Sequence, residues 1–255
     1  MTDDRPGFRA ALSNRMIQMM LGMFAFVAAA ATGATLGMQS TGSVAVGDRA
    51  AIEKIVRDYI LEHPEIIPEA VERLQAKRMT GNIETSRQAI ETPYAGAWEG
   101  AAKGDVTLVE FFDYACGYCR ASLPDLAKLV GEDKGLKIVY RELPILSDES
   151  ADAAKVSLLA AEKGQYMPYH RALYGAGRVT RDTILAAAAK VGIDRAAAEA
   201  AIASGRYNAE IQSNIALAQK LQASGTPTFV IGSQVLNGAV GYEALKKAVD
   251  SARGK

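Results

Sequence analysis

Val106-Thr107-Leu108-Val109-Glu110-Phe111-Phe112-Asp113-Tyr114-Ala115-Cys116-Gly117-Tyr118-Cys119 is the stretch that decides the fold. Its apolar first half reads as a buried strand, and its second half places two thiols three residues apart at the start of a helix that runs from Tyr118 to Val130. These are the only cysteines in the 255-residue chain. A disulfide closing so short a loop removes little entropy from the unfolded chain, so the pair suits chemistry better than stapling. At a helix start the first sulfur faces the positive end of the helix dipole, which favours its thiolate and equips it to attack a disulfide or to leave from one.

Working outward, Leu136 to Leu143 reads as a second strand ended by Pro144, and Pro124 as a kink in the helix between the two strands. Residues 148–223, rich in Ala, Leu, Glu and Lys and punctuated by Gly164, Gly175, Gly192 and Gly205, read as several helices in succession. Thr228 to Ile231 and Gln234 to Leu236 are short strands around a Gly232-Ser233 turn, and Gly241 to Arg253 is a closing helix. The first strand–helix–strand demands parallel pairing and a right-handed crossover. The expected fold class is therefore a mixed α/β sheet with a large helical insertion.

Upstream the chain changes character. Arg5, Arg9 and Arg15 precede a mostly apolar stretch from Met16 to Met38, the pattern of an export signal. Its small residues, Ala28 to Ala34, offer a cleavage site, and its length equally suits an uncleaved anchor with the basic end in the cytoplasm. Both alternatives send the remainder into an oxidising compartment. Residues 39–48 form a polar tether, with Asp48 placed to cap a helix. Ile52, Ile55, Val56, Tyr59 and Ile60 make one apolar stripe, His63-Pro64 breaks it, and Ile66, Ile67, Ala70, Val71 and Leu74 make another. Two short amphipathic helices bury little surface alone. They dock on the main domain or on copies of themselves, and the polar stretch Thr80 to Thr92, which separates them from the next strand, favours self-association through residues 48–78. The expected organisation is an export segment over 1–38, a helical extension and linker over 39–92, and the main domain over 93–255.

Composition narrows the function. Lys+Arg and Asp+Glu are equal at 29 each, so no basic footprint points to nucleic acid. A structural zinc site needs four ligands, and beyond the two thiols only His63 and His170 are at hand, each read as a surface or packing residue. Haem attachment wants a histidine after the second cysteine, where Arg120 stands, read as part of a solvated helix face. Two soft thiolates suit Cu(I), but most methionines lie in the export segment. Redox exchange fits better, and no cofactor is expected, because two cysteines carry two electrons themselves. Glu110, on the strand face of Phe112, is either a proton acceptor for the second sulfur or a strand-end residue reaching water. Gly225-Thr226-Pro227-Thr228 precedes a strand, and a cis bond before Pro227 would bare the Thr226 backbone for an extended peptide beside the sulfurs.

Together the segment Val109 to Cys119, Pro124, the helical insertion and Gly225-Thr226-Pro227-Thr228-Phe229 resemble the DsbA-like branch of the thioredoxin superfamily over roughly residues 94–252. The resemblance implies a thioredoxin fold and thiol–disulfide exchange, with Cys116 as nucleophile, Cys119 as resolving cysteine, Thr226-Pro227 as the cis-proline pair and Glu110 as the buried carboxylate. Gly117 and Tyr118 would shape the rim. Residues 50–78, with His63-Pro64-Glu65-Ile66, are similar to the N-terminal extension of the ScsC-type subgroup, some members of which oligomerise through it and act as disulfide isomerases. The Gly-Tyr dipeptide between the cysteines and Thr before the proline look more like the DsbC isomerases than the archetypal oxidase. The implied setting is the periplasm, with cysteine-containing protein substrates and a membrane redox partner of unknown identity. A different class stays open: a non-enzymatic module using the thiols to bind copper or to protect against stress.

Overall fold

The computed structural model describes residues 46–254, so the export segment and most of the tether lie outside the described residues. Those residues divide into two compact units at Glu69/Ala70. In the first, α1 (Val46–Glu62) begins two residues before the expected cap at Asp48. It ends where His63-Pro64 interrupts the helical path, as the stripe pattern predicted. Ile52, Ile55, Val56 and Tyr59 form an exposed apolar stripe on α1, while Arg49–Glu53 and Lys54–Asp58 pair one turn apart. Among the described residues, no helix is long and apolar enough to cross a membrane.

Helix α2 (Ile66–Glu91) crosses the division and does not stop where the sequence turns polar. The stretch read as a separating linker is its second half. Ile83, Ser86 and Ile90 recur at helical spacing and are buried in the second unit, beside Val109, Phe111 and Val139. One narrow apolar face in a polar segment is a weak periodic signal, and the sheet supplies the contacts that hold it.

The second unit is built on a five-stranded sheet. Its strands are β1 (Trp98–Gly100), β2 (Val106–Phe112), β3 (Leu136–Glu142), β4 (Thr228–Ile231) and β5 (Gln234–Asn237), in the order β1-β3-β2-β4-β5. β2 and β3 are parallel, in register from Val106↔Leu136 to Phe112↔Glu142, and every other pairing is antiparallel. This is the expected mixed sheet, extended by an edge strand, β1, too short to show alternation. At the end of β1, Gly100 has φ 87°, and a Cβ there would stand 2.4 Å from the Leu136 carbonyl oxygen, so the edge strand turns away at a glycine.

Helices α3 (Gly117–Glu132) and α9 (Tyr242–Ala252) cover the sheet face that carries Leu108, Phe112, Ile138 and Tyr140. The insertion comprises α4 (Asp148–Glu162), α5 (Tyr166–Gly175), α6 (Arg181–Lys190), α7 (Arg195–Ala203) and α8 (Asn208–Lys220). Ser147, Thr180 and Asp194 cap α4, α6 and α7 with side-chain oxygens. On the opposite sheet face the second half of α2 packs with Ala218 and Leu221.

Arg141 locks that second face. It is buried on β3, and its guanidinium donates to the carbonyls of Ala89, Ile90 and Thr92, to Glu210 Oε1 at 3.1 Å and to Asn214 Oδ1 at 3.1 Å. The carbonyls at a helix end have no partner within the helix, so one cation satisfies the end of α2 and faces its negative pole. Arg141→Met leaves those oxygens and Glu210 unpaired and is expected to lower unfolding stability by about 3 kcal/mol, read from urea denaturation. A change under about 0.5 kcal/mol would show the clamp to be idle.

Candidate active site

β2 delivers the chain to Asp113, whose buried carboxylate organises the turn into α3. Oδ1 accepts from Ala115 N at 2.8 Å and Ser150 Oγ at 2.6 Å, and Oδ2 accepts from Ile145 N and Leu146 N at 2.9 Å each. The Asp113 carbonyl accepts from Cys116 N and from Tyr174 Oη, both at 3.0 Å. Asp113 did not stand out in the sequence. The signal available was an aspartate between a strand and a helix cap, where its side chain bonds backbone two residues on.

Cys116 is the N-cap of α3, with φ −78° and ψ 114°. Its sulfur accepts from Cys119 N at 3.2 Å and donates to the Thr226 carbonyl at 3.2 Å. Negative charge on this sulfur therefore meets a helix N–H directly. Cys116 is 5% exposed and Cys119 fully buried one turn further on, and both are free thiols. Gly117 is exposed and Tyr118 is 71% exposed, so the two intervening residues form the outer rim.

The Thr226–Pro227 bond is cis. Thr228 Oγ1 bonds the Gly225 carbonyl at 2.8 Å and Asn237 Oδ1 at 2.9 Å, while Gly238 N donates to the Pro227 carbonyl at 2.8 Å. This loop is thus tied down at the start of β4, and it holds the Thr226 carbonyl over the first sulfur.

Glu110 lies under the cysteines on the Phe112 face of β2, 1% exposed, and neither carboxylate oxygen has a hydrogen-bond partner. The water-reaching alternative does not fit that burial. Burial pushes its carboxyl up to about 8, with the charges of Cys116 and Glu99 acting in the same direction. Burial likewise raises the Cys119 thiol far above the ordinary thiol range, and the Glu110 charge adds to it. The Glu110 charge thus opposes ionisation of the Cys119 thiol.

His170 is a packing residue. Its ring stands 4.9 Å, centroid to centroid, from Phe112, Tyr140 and Tyr174, its Nδ1 is 3.1 Å from Tyr114 Oη, and burial lowers it to about 3. His63 sits exposed between α1 and α2. Arg120 is exposed, as a solvated helix face would have it, yet its guanidinium reaches across to the Gly177 carbonyl in the insertion. The structure thus brings Cys116, Cys119, Gly117, Tyr118, Thr226, Pro227 and Glu110 to one place. Among the described residues, no group of three or more His, Cys, Asp or Glu side chains is arranged to hold a metal ion.

Residues 107–250 match the DSBA-like thioredoxin domain family, and residues 48–78 match the copper resistance protein ScsC N-terminal domain. A thioredoxin-like oxidoreductase from Silicibacter pomeroyi DSS-3 is 38% identical, with a TM-score of 0.63 over 66% of this chain and 98% of that one. The thiol-disulfide exchange protein alpha-DsbA2 from Wolbachia pipientis is 28% identical, with a TM-score of 0.62 over 70% of this chain and 97% of that one. A linker-deleted mutant of Proteus mirabilis ScsC, 24% identical, shares the fold over 84% of this chain and 99% of that one at a TM-score of 0.68. Curated relatives include the Na(+)/H(+) antiporter NhaA 1 of Salinispora arenicola, 28% identical over 156 residues, which are 60% of this chain and 24% of that protein. The chain spans about a quarter of the length of the curated relatives it matches.

Proposed function

This chain belongs to the DSBA-like thioredoxin domain family of thiol–disulfide oxidoreductases, and from that premise we propose that it rearranges disulfides in cysteine-containing proteins of the periplasm. The observation that carries the reading is the Cys116 sulfur, held at a helix start 3.2 Å from the Thr226 carbonyl. A client strand lying along Thr226-Pro227 pairs with bared backbone and brings its own sulfur in line with Cys116.

In the reducing direction the Cys116 thiolate attacks a client disulfide. One client sulfur joins Cys116 and the other leaves as a thiolate. Cys119 then gives its proton to the Glu110 carboxylate and attacks Cys116 Sγ. The client's first sulfur leaves, and two electrons have passed to the client. Isomerisation uses the first half only: the freed client thiolate, or another client thiol, attacks the mixed disulfide and expels Cys116 unchanged. In the oxidising direction the steps reverse, and protonated Glu110 supplies the proton that Cys119 takes as it departs. The protein carries the electrons on its own sulfurs, and a membrane redox partner resets them.

Isomerase is the direction we favour over oxidase. The support is the bare apolar stripe of α1, the match of residues 48–78 to the ScsC N-terminal domain, and Gly-Tyr between the cysteines. Along the chain we propose an export segment over 1–38, self-association helices within 39–92, and a catalytic domain over 93–255 that takes the second half of α2 into its core. Two measurements test the reading. Turnover of a scrambled, disulfide-containing protein, with Cys116 recovered reduced from periplasmic extract, is the expected result; an oxidised resting pair makes it an oxidase instead. Removing residues 48–78 leaves the buried part of α2 in place and is expected to reduce the particle to a monomer by light scattering. An unchanged mass ends the self-association proposal.

A further inference from the structure

Beside the cysteines lies a cavity of about 450 Å³ that the exchange steps above leave unused. Ala115 and Gly117, the two neighbours of Cys116, form its near wall. Arg120, Glu149, Arg178 and Thr180 lie around the rest, and neither Thr226 nor Pro227 borders it. Its far side is built by the insertion, from the start of α4 and the loop before α6. A space of this size takes one or two side chains, and it adjoins the backbone on either side of the nucleophile.

Its charge is unbalanced. Two arginines and one acidic residue, Glu149, line it. Arg120 is partly engaged with the Gly177 carbonyl. Arg178 is exposed and makes no side-chain hydrogen bond or ion pair among the described residues, although its charge is felt at Glu149. A guanidinium with five donors beside an open cavity suits a carboxylate.

We propose that this cavity receives the part of a client chain flanking its reacting cysteine, and that Arg178 and Arg120 give it a preference for an acidic side chain there. The inference rests on the exchange reading above and adds a selector to it: Thr226-Pro227 takes client backbone without regard to sequence, and the cavity reads a side chain. Exposed pairs of this kind change an interaction by a few-fold each and act largely through the encounter rate.

The test uses disulfide-linked peptide probes that differ only in the residue two places from the cysteine, on each side: Glu, Gln or Lys. A compensating charge at the far end keeps net charge constant. Second-order exchange rates are measured with the reduced full chain at low salt and at about 0.5 M salt, where charge effects beyond a few ångströms are screened. The expected order is Glu, then Gln, then Lys, with about fivefold between the extremes at low salt and a ratio near one at high salt. Arg178→Glu is expected to invert the order. Equal rates for the three probes at low salt, or an order that Arg178→Glu leaves in place, overturns the selector while exchange itself stands. If no probe reacts with the unaltered chain, the exchange reading falls first. The salt dependence of the unaltered chain decides the matter even if the variant folds poorly.

Discussion

Cys116→Ser is expected to eliminate exchange, lowering the rate on a fluorescent disulfide reporter by on the order of 10³-fold or more. Serine keeps the N-cap, because its oxygen accepts the Cys119 N–H at least as well as sulfur does. The fold and its stability should therefore survive, and the loss isolates the chemistry. Oxygen at this position has no accessible anion near neutral pH and forms no bond to a client sulfur that the next thiolate can break. Cys119→Ser separates the second role. The first attack still occurs, but nothing inside the protein releases the client, so mixed disulfides accumulate and appear as mass-shifted species on a non-reducing gel. Retained reporter turnover in Cys116→Ser would mean that the nucleophile lies elsewhere.

Glu110→Gln is expected to stabilise the protein while slowing it. A carboxyl buried with no partner binds its proton more tightly in the folded chain than in the unfolded one, with a value raised from 4.5 to about 8. Between those two values the folded state holds more protons, so unfolding stability falls as pH rises. The stabilising contribution is whole below about pH 4.5 and is lost on passing pH 8. By linkage a displacement of this size corresponds to roughly 5 kcal/mol once the group is ionised. Glutamine has the same shape and no charge, so its advantage should be small at pH 4–5 and grow to about 3 kcal/mol or more by pH 9, read as paired urea curves. Exchange should slow by about 10²-fold at the resolving step, because Cys119 loses its proton acceptor. If the two curves stay parallel from acid to alkali, Glu110 is not the buried titrating group its surroundings make it.

The legible and illegible parts of the chain divide along physical lines. β2, the cysteine turn, β3, the β4–β5 hairpin and α9 were readable because each is a local apolar run bounded by its own punctuation: Pro144, Gly232-Ser233 or Gly241. The Glu110 side of the strand followed from alternation alone. The second half of α2 was not readable, since Ile83 and Ile90 are sparse among polar neighbours and only the sheet shows why they are apolar. β1 has three residues and no period to detect, and its partner lies some forty positions downstream. Arg141 carries no mark in the sequence, because its acceptors at 89–92, 210 and 214 meet only in three dimensions. The same holds for Arg120, whose reach to Gly177 converts a solvated face into a strut beside the cavity.

Asp113 has a consequence for transplanting this chemistry. Four segments converge on it: the end of the strand, the cysteine turn, the amides at 145 and 146, and the hydroxyl at 150. The reactive sulfur is thus aimed by a keystone whose neighbouring stones come from separate stretches of chain. Grafting the four-residue cysteine sequence into a foreign scaffold would carry the atoms and leave behind their orientation. A working graft has to include the aspartate and the 145–150 loop, and in this protein the smallest portable unit of reactivity is that assembly.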